Sequence, residues 1–116
     1  MIRLRFLCVA TLLAACGGAP KPEARMASSE GAIRGAQEAG AANVPQATLH
    51  LRLAQEQRDQ ALGMVKNGDN HRADMLLARA EADAELAVAL AREAAAKADA
   101  AKATESVEEL QRKAGH

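Results

Sequence analysis

The sequence is almost without aromatic residues: Phe6 is the only one in 116 residues, and there is no tyrosine or tryptophan. Nucleobases and sugar rings would therefore find little to stack on. A charge excess is also missing, since 15 Lys and Arg are balanced by 15 Asp and Glu. Binding nucleic acid needs basic residues in excess to neutralise phosphates, so no nucleic-acid partner is expected. Cysteine is confined to Cys8 and Cys16, which leaves no disulfide framework. The three histidines, His50, His71 and His116, show no HxxxH, HExxH or CxxC arrangement, and no metal is implied. Ser28, Ser29 and Ser106 have no histidine at a suitable spacing, and no glycine-rich phosphate cradle occurs. Carboxylates are plentiful but are expected on solvated helix faces, whereas a general acid needs an enclosed site. The chain is therefore expected to be non-catalytic and without a cofactor.

What is present begins with a short basic start, Met1 to Arg5, followed by an apolar run from Phe6 to Ala15. That run is too short to span a bilayer as a helix, and it ends in small residues, the pattern of a secretory signal peptide. Leu13, Ala14, Ala15 and Cys16 resemble the lipobox of bacterial lipoproteins, which implies cleavage before Cys16 and lipid attachment to its thiol. The expected organisation is 1–15 signal peptide, 16–23 lipidated cysteine and flexible tether, and 24–116 helical domain. Two or three acyl chains would hold the protein at the membrane, each buried methylene contributing about 0.8 kcal/mol. Gly17, where a retention aspartate would otherwise stand, implies by resemblance to enterobacterial lipoproteins the outer membrane, facing the periplasm. Arg3 and Arg5 leave with the signal peptide, so 13 of the 15 basic residues face 15 acidic ones.

The remaining chain owes its apolar character to alanine, which buries little area and favours elongated helix packing over a globular core. Gly17 to Glu23, with Pro20 and Pro22, has no periodicity and reads as the tether. A first helix is expected from about Ala24 to Ala41, with Ala24, Ser28, Gly31, Gly35 and Ala39 on a face of small side chains. Gly31 and Gly35 form a small-xxx-small pair that would let helices approach closely. Pro45 suits the first position of a second helix, which runs to about Lys66. Its stripe is Ala47, Leu51, Ala54, Ala61 and Val65, and Arg58 falls on it, expected to send its guanidinium to solvent. Gly68 supplies a left-handed turn, with Asp69 or Asn70 as caps of the next helix. A link this short makes the second and third helices antiparallel neighbours.

The third helix is expected from Asn70 to Ala114. Fifteen of the 31 residues from Ala73 to Ala103 are alanine and none is glycine or proline, the composition with the best helix propensity. Leu77, Ala80, Ala84, Ala87, Ala91, Ala94, Ala98 and Ala101 alternate steps of three and four, the a/d seam of a heptad. Glu81, Asp83 and Glu85 are read as a solvated face, and Glu93–Lys97, Glu108–Arg112 and Glu109–Lys113 as i,i+4 pairs. The second helix covers the third only to about Arg92. About 20 residues, or about 30 Å, then continue alone. The expected fold is all-α, an elongated antiparallel bundle of three helices whose last helix is long and protruding. Its uncovered seam is expected to meet a protein partner or another copy of the chain.

Ala39-Gly40-Ala41, Pro45, Leu49, Ala54, Ala61, Ala73, Leu77 and the block Ala80 to Ala87 resemble the lipoproteins of the domain of unknown function 4398 family. The resemblance covers about Met26 to Ala114 and implies a helical, exported lipoprotein of unestablished activity. Three functions from different classes fit. The first is a structural or adaptor lipoprotein of the envelope, acting through helix–helix contact or as a self-assembling spacer. The second is a chaperone-like periplasmic binder, which needs exposed large apolar residues; Met64, Met75, Leu76, Leu86 and Leu90 are candidates but are expected in the core. The third is a covalent peptidoglycan tether, which needs a terminal lysine where this sequence reads Lys113-Ala114-Gly115-His116.

Overall fold

The computed structural model describes residues 17–115. Leu13, Ala14, Ala15, Cys16 and the expected signal peptide lie outside the described residues. Three helices account for the described fold: α1, Glu23–Glu38; α2, Pro45–Lys66; and α3, Asn70–Ala114. The all-α, elongated architecture expected from the composition is what forms, 77 Å long and without strands among the described residues. A short 3-10 turn, Ala41–Asn43, joins α1 to α2.

Local chemistry explains the breaks between helices. α1 stops at Gly40, which takes φ 80°, a left-handed conformation that costs glycine nothing. Val44 is extended (φ −117°, ψ 115°), the conformation imposed on a residue before proline. Pro45 then opens α2 at a position where its missing N–H is not needed. Gly68, also at φ 80°, turns the chain from α2 into α3. The capping role expected of Asp69 and Asn70 is not what the side chains do, because neither accepts a backbone N–H at the start of α3. Asp69 accepts from Arg72 at 3.0 Å, and the Asn70 amide donates to the Ala19 carbonyl at 2.7 Å. This last bond pins the chain preceding α1 to the beginning of α3.

α2 and α3 form an antiparallel hairpin about the Gly68 turn. Counting outward from that turn sets Ala61 against Leu77, Ala54 against Ala84, Leu51 against Ala87 and Ala47 against Ala91, all of them buried. Alanine on both sides lets the helix axes approach to the short end of the usual 8–10 Å range. α1 lies in the third position of the bundle, parallel to α3, which it contacts more than α2. Ile33 is 1% exposed and joins Leu51, Ala54, Ala84 and Ala87 in one cluster. Ala61, Ala73 and Leu77 form a second cluster beside the turn, with Met26, Met64, Val65 and Leu76 packed on it.

The small-residue face expected on α1 is not the one that packs. Gly31 is exposed and Gly35 half-buried, and a Cβ built on either meets nothing within 4 Å. The inward face is Met26, Ser29, Ile33 and Ala36 instead. Ile33 is the only large aliphatic residue of the helix interior, and fully burying such a side chain is worth about 1.5–3 kcal/mol. A glycine face has no such area to bury. Ser29 is tolerated inside because its hydroxyl donates to the Met26 carbonyl at 3.1 Å.

Candidate protein-interaction surface

The inner face of α3 is packed from Ala73 through Leu77, Ala80, Ala84 and Ala87 to Ala91, each at most 3% exposed. Ala94 is half-buried, and Ala98 and Ala101 are exposed. Of the residues expected at helix contacts, Leu51, Ala54, Ala61, Leu77, Ala80, Ala84, Ala87 and Ala91 are buried within the chain and Val65 is half-buried. Ala98 and Ala101 meet no other element among the described residues. From Ala95 to Ala114 every residue is exposed, so about 30 Å of helix stands free. It is stiffened along its own length by Glu93–Lys97 and Glu109–Lys113 ion pairs. The pair expected between Glu108 and Arg112 is absent; Arg112 Nε donates to the Glu108 backbone carbonyl instead.

The rest of the polar surface is tied into the bundle. Arg58 does not send its guanidinium to solvent in the way expected of a long basic side chain lying on a seam. It donates to Glu30 of α1 at 2.7 Å and to the neighbouring Asp59. Counting from the turn puts Arg58 opposite Ala80. The hydrogen bond to Glu30 raises the Arg58 pKa above its ordinary value, against the opposing effect of burial. Arg25 spans α1 and α3 by bonding Glu81 at 3.0 Å, and Ser28 donates to the other oxygen of the same carboxylate. On the opposite flank of the hairpin, Asp83 bonds the His50 ring at 2.9 Å and accepts from Gln57 at 2.8 Å.

Glu81 and Asp83 are thus interhelix bridges and not a solvated face. The sequence holds the signal for this: with Ala80 and Ala84 at d and a, Glu81 is an e residue and Asp83 a g residue. Those positions border a coiled-coil seam, and His50 and Gln57 are g residues of the antiparallel partner. The His50–Asp83–Gln57 group faces solvent at its edge, the His50 and Asp83 side chains being 27% and 20% exposed. Its contacts tie α2 to α3 along that flank. Among the described residues no group of three or more His, Cys, Asp or Glu is placed to hold a metal ion. No described helix is long and apolar enough to cross a membrane.

A second apolar stripe lies on the free half of α3, on the face roughly opposite the packed one. Ala96, Ala100, Ala103, Val107, Leu110 and Ala114 alternate steps of four and three, and all are exposed. Val107 is 52% and Leu110 66% exposed. The inner seam, followed past Ala101 at the same spacing, meets Glu105 and Glu108. Following only that seam hides the outer one, although the spacing of Val107 and Leu110 from Ala103 already marks it. Towards the turn the outer stripe is broken by Glu93, resumes at Ala89, Leu86 and Ala82, and reaches Arg79 and Met75. Leu86 and Met75 are 43% and 58% exposed; they are not core residues. Comparison of the chain with family models, curated proteins and solved structures finds no match in any of the three.

Proposed function

We propose that this chain is a non-catalytic helical module of the bacterial envelope, lipid-anchored through Cys16 and acting through helix–helix contact made by the free half of α3. The observation that carries the reading is the division of α3. Its first half is clamped into a bundle that bears the amino-terminal segment, and its second half is offered bare, with apolar side chains on it. Asn70 holds Ala19 at one end of the molecule, and Ala114 lies about 67 Å away along the helix. An anchor at the first end, in an outer membrane, would leave the free half exposed on the periplasmic side and directed away from its own lipid. The lipobox-like Leu13-Ala14-Ala15-Cys16 and the resemblance to the domain of unknown function 4398 lipoproteins support the anchor.

Two measurements test it in a bacterial host. Labelled palmitate should enter the wild-type chain and not Cys16→Ser, with the variant leaving the membrane fraction. A photo-crosslinking residue at Val107 should give a discrete crosslinked protein band in the envelope, while one at Arg52, on the exposed side of α2, should not. Loss of both results would end the reading. Exposed Leu49, Met75 and Leu86 favour a second reading, a chaperone-like binder; it predicts diffuse crosslinks to many unfolded clients from Leu86 as readily as from Val107.

A further inference from the structure

We propose that the occupant of the free half of α3 is the same segment of a second copy of this chain, running antiparallel along Ala96–Ala100–Ala103–Val107–Leu110–Ala114. The inference rests on the reading that this segment is a helix-contact module, and it names the partner. Taking Ala100, Val107 and Ala114 as a positions and Ala96, Ala103 and Leu110 as d positions, an antiparallel pair stacks a residues against d residues. In one register Leu110 meets Ala100 of the second copy, Val107 meets Ala103, and Ala114 meets Ala96. Every large side chain then faces an alanine, the alternation that fills a seam without voids.

Charge selects the same register. The g residues are Asp99, Ser106 and Lys113, and antiparallel helices pair g with g. Asp99 therefore faces Lys113 of the second copy, and by two-fold symmetry the pair occurs twice. Ser106 sits beside its own copy at the axis, and the e residues Lys97 and Gln111 face each other without repulsion. Other arrangements are penalised. A parallel in-register pair sets the g residue Arg92 beside Lys97 of the second copy. Antiparallel registers with longer overlap bring Glu93, and eventually Arg79, into the apolar seam. The chosen register is the longest that keeps both out. Its overlap matches the free length of α3, because Ala114 of each copy reaches Ala96 of the other, just beyond the half-buried Ala94 where the bundle ends. The two amino-terminal ends then lie on the order of 100 Å apart, at opposite ends of the assembly, so two copies anchored in one membrane pair with the rod lying along its surface.

The experiment uses residues 17–116, which contain every packed contact described above and no cysteine. Sedimentation equilibrium should show a monomer–dimer equilibrium. Asp99→Lys and Lys113→Asp should each weaken it about tenfold, since each replaces two attractive pairs by two repulsive ones. An equimolar mixture of the two variants should restore wild-type affinity, because only the mixed dimer pairs all four charges. A spin label at Glu93→Cys should give a label-to-label distance of about 35–40 Å in the dimer, against about 10 Å for a parallel pair. A dimer indifferent to both charge reversals, or one with the short distance, overturns this pairing but leaves the helix-contact reading standing. A chain that stays monomeric at millimolar concentration overturns the second copy as occupant. In that case the envelope crosslink from Val107 decides separately whether another protein takes its place.

Discussion

Substituting leucine for alanine at two positions of α3 separates the packed half of the helix from the free half. Ala84 and Ala98 are both a residues of the inner seam, two heptads apart. Leucine and alanine are close in helix propensity, so the substitutions differ only in surroundings. Ala84 is 0% exposed, with Ala54 across the hairpin and Ile33 and Ala36 of α1 in the same cluster, each at most 1% exposed. Three added carbons would gain roughly 2.4 kcal/mol by burial if space existed. No space is left between helices that meet through methyl groups, so the side chain must push α2 or α1 away. Overpacking of this kind costs about 1–3 kcal/mol. At about 2 kcal/mol, and with a urea dependence of about 1 kcal/mol per molar for a domain this small, the midpoint of Ala84→Leu should fall by about 2 M. Ala98→Leu should stay within about 0.5 kcal/mol of wild type. The assay is urea unfolding followed by far-ultraviolet circular dichroism, at protein concentrations too low for association. Equal midpoints for the two variants would refute the packing account, because they would mean that the seam is uniformly open or uniformly covered.

Gly31→Ala should stabilise the chain by about 0.5–1 kcal/mol, since the new methyl meets no neighbour and alanine is the better helix former; thermal unfolding that shows a loss would return Gly31 to a packed face. Arg58→Ala should destabilise by about 1 kcal/mol, a figure discounted for solvent screening because the Arg58 and Glu30 side chains are 24% and 45% exposed. A double-mutant cycle with Glu30→Gln that gives no coupling would remove the bridge from the energetics. The Glu93 carboxylate is held below its ordinary pKa by its hydrogen bond to Lys97 and the charge beside it. A depressed folded-state value means support that is complete above the unfolded-state pKa and lost as pH falls through the folded one, so helicity near Ala94–Ala98 should decline on acidification. Nuclear magnetic resonance titration of Glu93 in wild type and Lys97→Gln checks this: an unchanged midpoint in the variant contradicts it.

The boundaries of α2 and α3 and the long helix after Asn70 were legible in the sequence because their causes are local. Proline at N1, a glycine at positive φ and a run of alanine act within a turn of helix, whatever else the chain does. The depth to which α3 is covered was also legible, since an antiparallel hairpin about Gly68 obeys a length count. The orientation of α1 was not. Its small residues and its single Ile33 offer two competing faces, and only the groove between α2 and α3, which rewards the buried area of Ile33, chooses between them. Nor could composition assign Glu81, Asp83 and Arg58, because a charge bordering a seam is solvated or bridging according to what packs beside it, and α1 and α2 supply the partners. Above all, α3 carries alanine on both faces, so its sequence fixes a helix without fixing an inside. The hairpin and α1 select one face as far as Ala91, and by doing so they leave the stripe from Ala96 to Ala114 as the surface the molecule presents.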